Sequence, residues 1–402
     1  MIRDQRSQGR HAILRELRRR GPVARVDLAD STGMSQATVT AITAELLRAG
    51  LIEEKQTEKP SGGDVRRGRP RVGLQVRGEA RLVAGVKIAD RTISAALVDF
   101  AGRLVAEARR PLSAREQSSE DLCADILATV RRAAEDQALP MADVAALGVA
   151  IAGIVDADHG LVHWSPALNS RNQPLRDHLS DAASIPVFID NDANLVAMAE
   201  LFFGEGRGCD DFLVVTVESG VGLGIVLGGR VYRGTRGCGA EFGHMKVQID
   251  GALCRCGQRG CLEAYVADYA LLREAALSPG HQSSGEPLRD VSALLERTKS
   301  GDPIAASILE RAGRIFAMGL ANLVNIFDPQ LIILAGEMTQ VDYLYSEKVI
   351  GMVTGQVVQV DSPPPRVVVH RWDDLMWARG AAAYAIEGLE ALALEALSDH
   401  AA

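Results

Sequence analysis

Gly239-Ala240-Glu241-Phe242-Gly243-His244, followed closely by Cys254-Arg255-Cys256-Gly257-Gln258-Arg259-Gly260-Cys261-Leu262-Glu263, is the stretch from which the rest of this 402-residue chain is best read. Three thiolates and one imidazole make a closed tetrahedral set for Zn²⁺, which takes sulfur and nitrogen ligands without redox change. His244, Cys254, Cys256 and Cys261 are therefore candidate ligands of a structural zinc. The competing reading, unrelated buried thiols, is weaker. Cysteines one residue apart seldom bridge each other, and Gly257 and Gly260 permit the tight loop that a metal requires. Six cysteines in a chain of this length do not make a disulfide scaffold.

Working outward, 47% apolar and 24% charged residues describe an ordinary folded protein, long enough for two or three globular units. No stretch approaches the roughly 20 uncharged apolar residues of a membrane span, and Met1-Ile2-Arg3-Asp4-Gln5-Arg6 lacks the apolar core of a signal peptide. The expectation is a cytoplasmic protein with no membrane partner. The net charge of -8 is unevenly spread: residues 1–80 hold 16 Lys+Arg against 10 Asp+Glu, and the remainder 28 against 42. The basic N-terminal part is the expected polyanion partner.

That basic part has a recognisable periodicity. Ile13, Leu14 and Leu17 lie on one face of a helix running from about Arg10 to Arg20 and stopped by Gly21-Pro22. A second short helix carries Val26, Leu28 and Ala29, and Gly33 supplies a turn. Ser35 N-caps a third helix that buries Val39, Ile42 and Leu46. Ser35, Gln36, Ala37, Thr38 and Thr40 at its start are left to face base edges in a major groove. Alternating Val72, Leu74 and Val76 after Leu51-Ile52 make a two-stranded wing. Arg66, Arg67 and Arg69, in Arg66-Arg67-Gly68-Arg69-Pro70, put guanidinium groups on a narrow backbone suited to a minor groove. Trihelical cores also serve protein–protein contacts, and Arg-rich loops are often plain linkers. Together with the charge asymmetry the pattern favours a winged helix-turn-helix that binds double-stranded operator DNA.

From Leu82 the pattern changes to α/β. Strands are expected at 82–88, 92–98, 103–108, 144–152, 186–190, 212–217 and 223–227, and helices at 121–134, 191–203 and 302–324. A boundary near residue 80 divides the chain into a DNA-binding domain with its wing and linker (1–80) and a second domain (81–402).

The Glu-x-Gly-His segment and the Cys-x-Cys-Gly-x-x-Gly-Cys-x-Glu segment together resemble the signature of the ROK family, named for repressors, open reading frames and kinases. The resemblance extends over about residues 7–385. It implies a two-lobed, actin-like (ribonuclease-H-like) sugar-kinase fold, preceded in the repressor branch by a winged helix. It also implies a sugar site built from Asn191, Asp192, Glu241, His244 and Glu263. Such a set suits vicinal hydroxyls, because two carboxylates and an amide offer several paired hydrogen bonds, and zinc on one nitrogen of His244 would turn the other toward the sugar. Taken alone, Ile189-Asp190-Asn191-Asp192-Ala193-Asn194 reads as a strand-to-helix turn whose polar residues merely cap the helix.

Kinases of the family carry Asp-x-Gly-Gly-Thr in the first strand, where this chain has Lys87-Ile88-Ala89-Asp90-Arg91. Lys87 replaces the carboxylate that serves Mg²⁺, and Asp90 opposes phosphate where a glycine amide belongs. Glu218-Ser219-Gly220-Val221-Gly222-Leu223-Gly224 likewise adds a carboxylate to the second phosphate loop, and Ile333-Leu334-Ala335-Gly336-Glu337 loses one glycine of the adenosine-side turn. Where related kinases have Pro-Asn-Leu, this chain has Pro166-Ala167-Leu168. The resulting expectation is a sugar-responsive transcriptional regulator without kinase activity, released from its operator by a small sugar or sugar-phosphate and acting as a homodimer or homotetramer. The alternative is an active ATP-dependent sugar kinase with an attached DNA-binding head.

Overall fold

The computed structural model describes residues 2–56, 72–278, 283–336, 343–358, 361, 363–371 and 375–399, with the backbone alone at 2–7 and 395–399. Two compact units emerge: one comprises Met1–Gly153, Ala157–Asp190 and Trp377–Ala402, the other Ile154–Asp156 and Asn191–Met376. Among the described residues no helix is long and apolar enough to cross a membrane.

The first unit begins with α1 (Ile2–Arg20), α2 (Arg25–Thr32) and α3 (Gln36–Arg48), then the antiparallel wing strands β1 (Ile52–Gln56) and β2 (Val72–Val76). This is the expected winged helix-turn-helix. Ile13, Leu14, Leu17, Leu28, Val39, Ile42 and Leu46 are all buried, as the period of 3.6 requires, while Val26 of α2 faces outward. Helix α1 starts earlier than apolar spacing indicates, because its first turns hold polar residues that leave no stripe to read. A buried clamp fixes α1 on α3: Arg10 donates through Nε and Nη2 to Glu45 Oε2 at 3.0 and 2.6 Å.

The same unit continues with β3 (Leu82–Ile88), β4 (Thr92–Asp99), β5 (Leu104–Pro111), α4 (Ser119–Glu135), β6 (Val144–Ile151), then, after β7 (Ile154–Asp156), which belongs to the second unit, with β8 (Leu161–Trp164), α5 (Leu175–Ala183) and β9 (Val187–Asn191). Its sheet has the order β5-β4-β3-β6-β9, antiparallel on the hairpin side and parallel between β3 and β6. β3, β4 and β6 are buried almost throughout because both faces are covered, whereas the edge strand β5 alternates buried and exposed residues.

The second unit holds α6 (Asp192–Phe203), β10 (Phe212–Val217), β11 (Val221–Leu227), β12 (Arg230–Val231), α7 (Glu263–Val266), α8 (Asp268–Ala275), α9 (Pro287–Lys299), α10 (Pro303–Phe327), β13 (Leu331–Ala335), α11 (Glu347–Thr354) and β14 (Arg366–Val369). Its sheet, β12-β11-β10-β13-β14, repeats the order of the first: two antiparallel hairpin strands, the central strand, then parallel additions. Two sheets of one topology in one chain are the α/β architecture expected above. The last helix, α12 (Met376–Asp399), returns to the first unit. It crosses the sheet with backbone almost touching backbone: a Cβ on Gly85 would fall 1.9 Å from the Ala378 carbonyl oxygen, and one on Gly148 1.9 Å from that of Ala381. Ala378, Ala381, Ala382 and Ala385 are fully buried on that face.

One ion pair ties β14 to α6. His370 Nδ1 lies 2.8 Å from Oε1 of Glu200, a carboxylate with no solvent exposure. The hydrogen bond to Glu200 raises the His370 pKa, burial opposes it, and Glu200 and Glu205 add attraction. The pair's stabilisation is then complete below the ordinary histidine pKa and disappears as pH rises through the raised value. In thermal melts, wild type should exceed His370→Asn by a larger margin at about pH 6 than at about pH 9. An equal margin at both would contradict the pairing.

Candidate functional site

His244, Cys254, Cys256 and Cys261 offer one ligand atom each, all within 4.8 Å of one another. His244 Nδ1 is 3.7 Å from Cys254 Sγ, and Cys256 Sγ is 3.8 Å from Cys261 Sγ. A tetrahedral zinc with Zn–S near 2.3 Å separates its ligand atoms by about 3.7 Å, whereas a disulfide needs about 2.05 Å. The residues therefore fit a four-coordinate metal and do not form a bridge. The loop closes through Cys254 N to Gln258 O at 2.8 Å and Gly257 N to Cys254 O at 3.0 Å. Gly260 adopts φ +76° with the Gln248 carbonyl oxygen 1.7 Å from where a Cβ would sit, so no other residue fits there. Burial pushes the metal-free Cys254 thiol up to about 12, so a metal taking this thiolate must displace a proton.

His244 ends a short 3₁₀ turn, Phe242–His244, and its ring faces two ways: Nδ1 toward Cys254, Nε2 toward Glu241 Oε2 at 3.9 Å. Ala240, just before Glu241, is held at φ +67°, an uncommon backbone for a residue with a side chain and a typical mark of a functional site. Glu263 opens α7 and is almost buried. Its Oε2 accepts from Val221 N at 3.3 Å, and its Oε1 accepts from the Tyr269 hydroxyl at 3.3 Å. The Glu241 carboxyl is raised above the usual range, first by burial; His244 counters this, and the charges of Glu263 and Asp192 reinforce it. Asp192, Glu241, His244 and Glu263 thus converge on one region of the second unit.

Asn191 does act as a cap, its Oδ1 accepting from Ala193 N at 2.9 Å at the start of α6. Capping occupies one oxygen face and is compatible with a second role for the same side chain. Pro166-Ala167-Leu168 lies in the first unit, with Ala167 buried and Asn169 exposed.

Three residues at the metal loop escape any reading by motif. Lys246 Nζ donates to Cys261 Sγ at 3.0 Å. The Arg255 guanidinium sits 3.9 Å over the Tyr269 ring and donates to the Ser219 carbonyl at 3.3 Å. Tyr269 itself lies 3.7 Å from Cys254 Sγ. Their signal is spatial, since two helices separated by the break at Ala267 bring Tyr269 back onto Glu263.

The positions of the kinase phosphate loops carry other contacts here. Lys87 is buried with Nζ 3.6 Å over the Trp377 ring, and Asp90 is gripped by Arg115 at 2.6 and 2.7 Å. Gly222 and Gly224 admit α6: a Cβ on Gly224 would meet the Ala193 carbonyl oxygen and Ala197 Cβ, each at 2.6 Å. These glycines have a packing reason that is independent of any nucleotide. Glu337 lies outside the described residues.

In the winged helix, Ser35 caps α3, accepting from Thr38 N at 3.1 Å. Ser35, Gln36, Ala37, Thr38 and Thr40 are all exposed at the N-terminal end of that helix. Arg66, Arg67 and Arg69 lie outside the described residues.

Comparison with known proteins bears on the family and the fold. The ROK family model matches residues 83–387 and the MarR family model residues 7–59. The chain is 30% identical over 337 residues to the DNA-binding transcriptional dual regulator NagC of Escherichia coli (strain K12), covering 82% of this chain and 80% of that protein. Among solved structures, a ROK family transcriptional regulator described as a homologue of the E. coli MLC protein superposes with TM-score 0.79 at 26% identity, over 98% of this chain and 99% of that one. A ROK family glucokinase from Streptomyces griseus, in complex with glucose and AMPPNP, superposes with TM-score 0.64 at 30% identity, over 76% of this chain and 100% of that one.

Proposed function

The chain belongs to the ROK family and carries a MarR-type winged helix ahead of it; from that premise we propose that it is a sugar-responsive transcriptional repressor that binds carbohydrate without phosphorylating it. The observation that carries this reading is the contrast between two places. Asp192, Glu241, His244 and Glu263 lie close enough to feel one another's charge, a grouping that suits vicinal hydroxyls, whereas the first phosphate turn presents Asp90 locked to Arg115, and Lys87 stacked on Trp377, in place of a metal-holding carboxylate. The match to the glucokinase describes common ancestry of the fold; chemistry has to be argued from the site.

In this reading Asn191, Asp192, Glu241, His244 and Glu263 hold the sugar, and a structural Zn²⁺ on His244, Cys254, Cys256 and Cys261 fixes the imidazole. When bound, zinc supplies no reaction chemistry; it anchors the loop and neutralises thiolates. The exposed residues Ser35, Gln36, Ala37, Thr38 and Thr40 read base edges, with Arg66, Arg67 and Arg69 contributing minor-groove and phosphate contacts. Two copies on a palindromic operator supply the affinity that one winged helix lacks. Residues 1–80 are the DNA-binding domain and 81–402 the sensor. Sugar shifts the sensor toward a state with weaker operator affinity, by no more than its own preference for that state.

The test is calorimetric titration with glucose, N-acetylglucosamine, mannose and xylose beside a coupled ATPase assay. One sugar should bind, with no phosphorylated product. Glu263→Gln and Asp192→Asn should each weaken binding by at least about tenfold, the cost of losing a hydrogen bond to a charged group. Steady turnover of ATP with phosphosugar accumulating would establish a kinase instead.

A further inference from the structure

Glu263 is anchored from both sides, and neither anchor belongs to the sugar-binding set. Its Oε2 takes the backbone N–H of Val221, the first residue of β11, and its Oε1 takes the hydroxyl of Tyr269. The same hydroxyl lies 3.7 Å from Sγ of the metal-loop residue Cys254. The ring of Tyr269 is covered by Arg255, which extends from that loop to the Ser219 carbonyl in the 218–221 turn, and Arg273 approaches the ring at 6.0 Å. Arg273 is itself fixed by donating to the Leu253 and Ala264 carbonyls. One half-buried phenol therefore touches the metal loop, the sugar-side carboxylate and, through Arg255, the hairpin turn that follows β10.

We propose that Tyr269 is a positioning residue which couples occupancy of the Cys254–Cys261 metal loop to the orientation of Glu263 and so to carbohydrate affinity. This rests on the sugar-sensing reading above. A carboxylate with one oxygen on an amide and the other on a phenol presents its remaining lone pairs in a fixed direction, and a fixed acceptor loses less entropy on binding a hydroxyl than a rotating one. With zinc in place the loop that carries Cys254 and Arg255 is immobilised, and the phenol with it. Without the hydroxyl, Glu263 keeps the Val221 amide and, as long as no metal takes its proton, the Cys254 thiol, which donates to Oε1 at 3.5 Å; without the metal, the loop that positions the phenol is no longer held.

The experiment compares the zinc-loaded full-length protein with Tyr269→Phe and, as a milder surface change, Arg255→Gln. Three readouts are followed: zinc content, hydrogen exchange of the peptide spanning residues 218–223, and affinity for the sugar panel. Tyr269→Phe should retain about one zinc per chain, since all four ligands remain. It should exchange faster over 218–223 and bind sugar about tenfold more weakly. Arg255→Gln should move exchange and affinity in the same direction by less. Chelating zinc should speed 218–223 exchange in the wild type and add little in Tyr269→Phe, a non-additivity that a purely structural role would not produce. Unchanged 218–223 exchange in Tyr269→Phe, or zinc removal acting equally on wild type and variant, overturns the coupling. The exchange readout needs no ligand, so a panel in which no sugar binds even the wild type counts against the functional reading alone.

Discussion

Replacing Cys254 and Cys256 together by serine is expected to abolish binding of about one zinc per chain and to lower the melting temperature by about 10 °C or more. Cys254 and Cys261 belong to the same apolar cluster as Phe242, Leu262, Tyr265 and Phe316. Freeing the loop thus exposes core as well as losing metal–ligand bonds. Isolated zinc domains owe about 10–16 kcal/mol of apparent stability to the ion. Here the strands and α10 supply a core of their own, so a partial loss is expected rather than global unfolding. Elemental analysis with calorimetry checks both halves, and a metal-free double variant as stable as wild type would remove zinc from the account.

Glu390→Ala should cost about 3–5 kcal/mol, because it breaks a buried ion pair by deleting one partner. Glu390 sits on α12 at 3% exposure, in contact with Arg18 Nη2 and 3.8 Å from His11 Nδ1, both on α1. Arg18 also donates to the Phe100 carbonyl at 3.3 Å and lies 5.1 Å over its ring. Burial pushes the Glu390 carboxyl up, but Arg18 and His11 outweigh it and hold the carboxyl below its ordinary value. A depressed folded-state pKa means that the stabilisation is complete above the unfolded carboxyl pKa and is lost as pH falls through the folded one. The melting-temperature gap between wild type and Glu390→Ala should therefore be widest near neutrality and narrow in acid. A gap independent of pH, or Glu390→Ala as stable as wild type, would contradict the buried pair.

That pair also marks where sequence reading stops. Residues 18 and 390 are separated by almost the whole chain, and nothing local to either announces the other. What could be read was whatever chemistry or periodicity fixes locally. The clustering of His244, Cys254, Cys256 and Cys261 was legible because few residue types bind zinc, and the tight loop demanded its glycines. Helix α3 was legible from Val39, Ile42 and Leu46, and strands such as β3 and β10 from uninterrupted apolar runs bounded by turns. Helix α12 was not anticipated, because its alanine-rich face gives little contrast and its fit depends on Gly85 and Gly148 from other strands. Short edge strands such as β12 and β14 are too brief to show a period.

The glycines of the second loop show how one pattern carries two meanings. Gly222 and Gly224 read as the relic of a phosphate cradle, yet each also makes room for Ala193 on α6. Retained glycines therefore say little about nucleotide binding in this chain, whereas Lys87 and Asp90, both engaged by partners inside the first unit, say more. Tyr269 stayed invisible for the opposite reason: a tyrosine in a short helix has no motif, and its meaning comes only from lying within reach of Cys254 and Glu263.

The most direct measurement is fluorescence anisotropy of labelled DNA from upstream of the chain's own gene, titrated with zinc-loaded protein in the presence and absence of each sugar of the panel. The account predicts tight binding that weakens steeply with salt and is relieved by one sugar, with the relief abolished in Glu263→Gln while DNA affinity is kept. DNA binding that no sugar alters, or no binding at low salt, would contradict it.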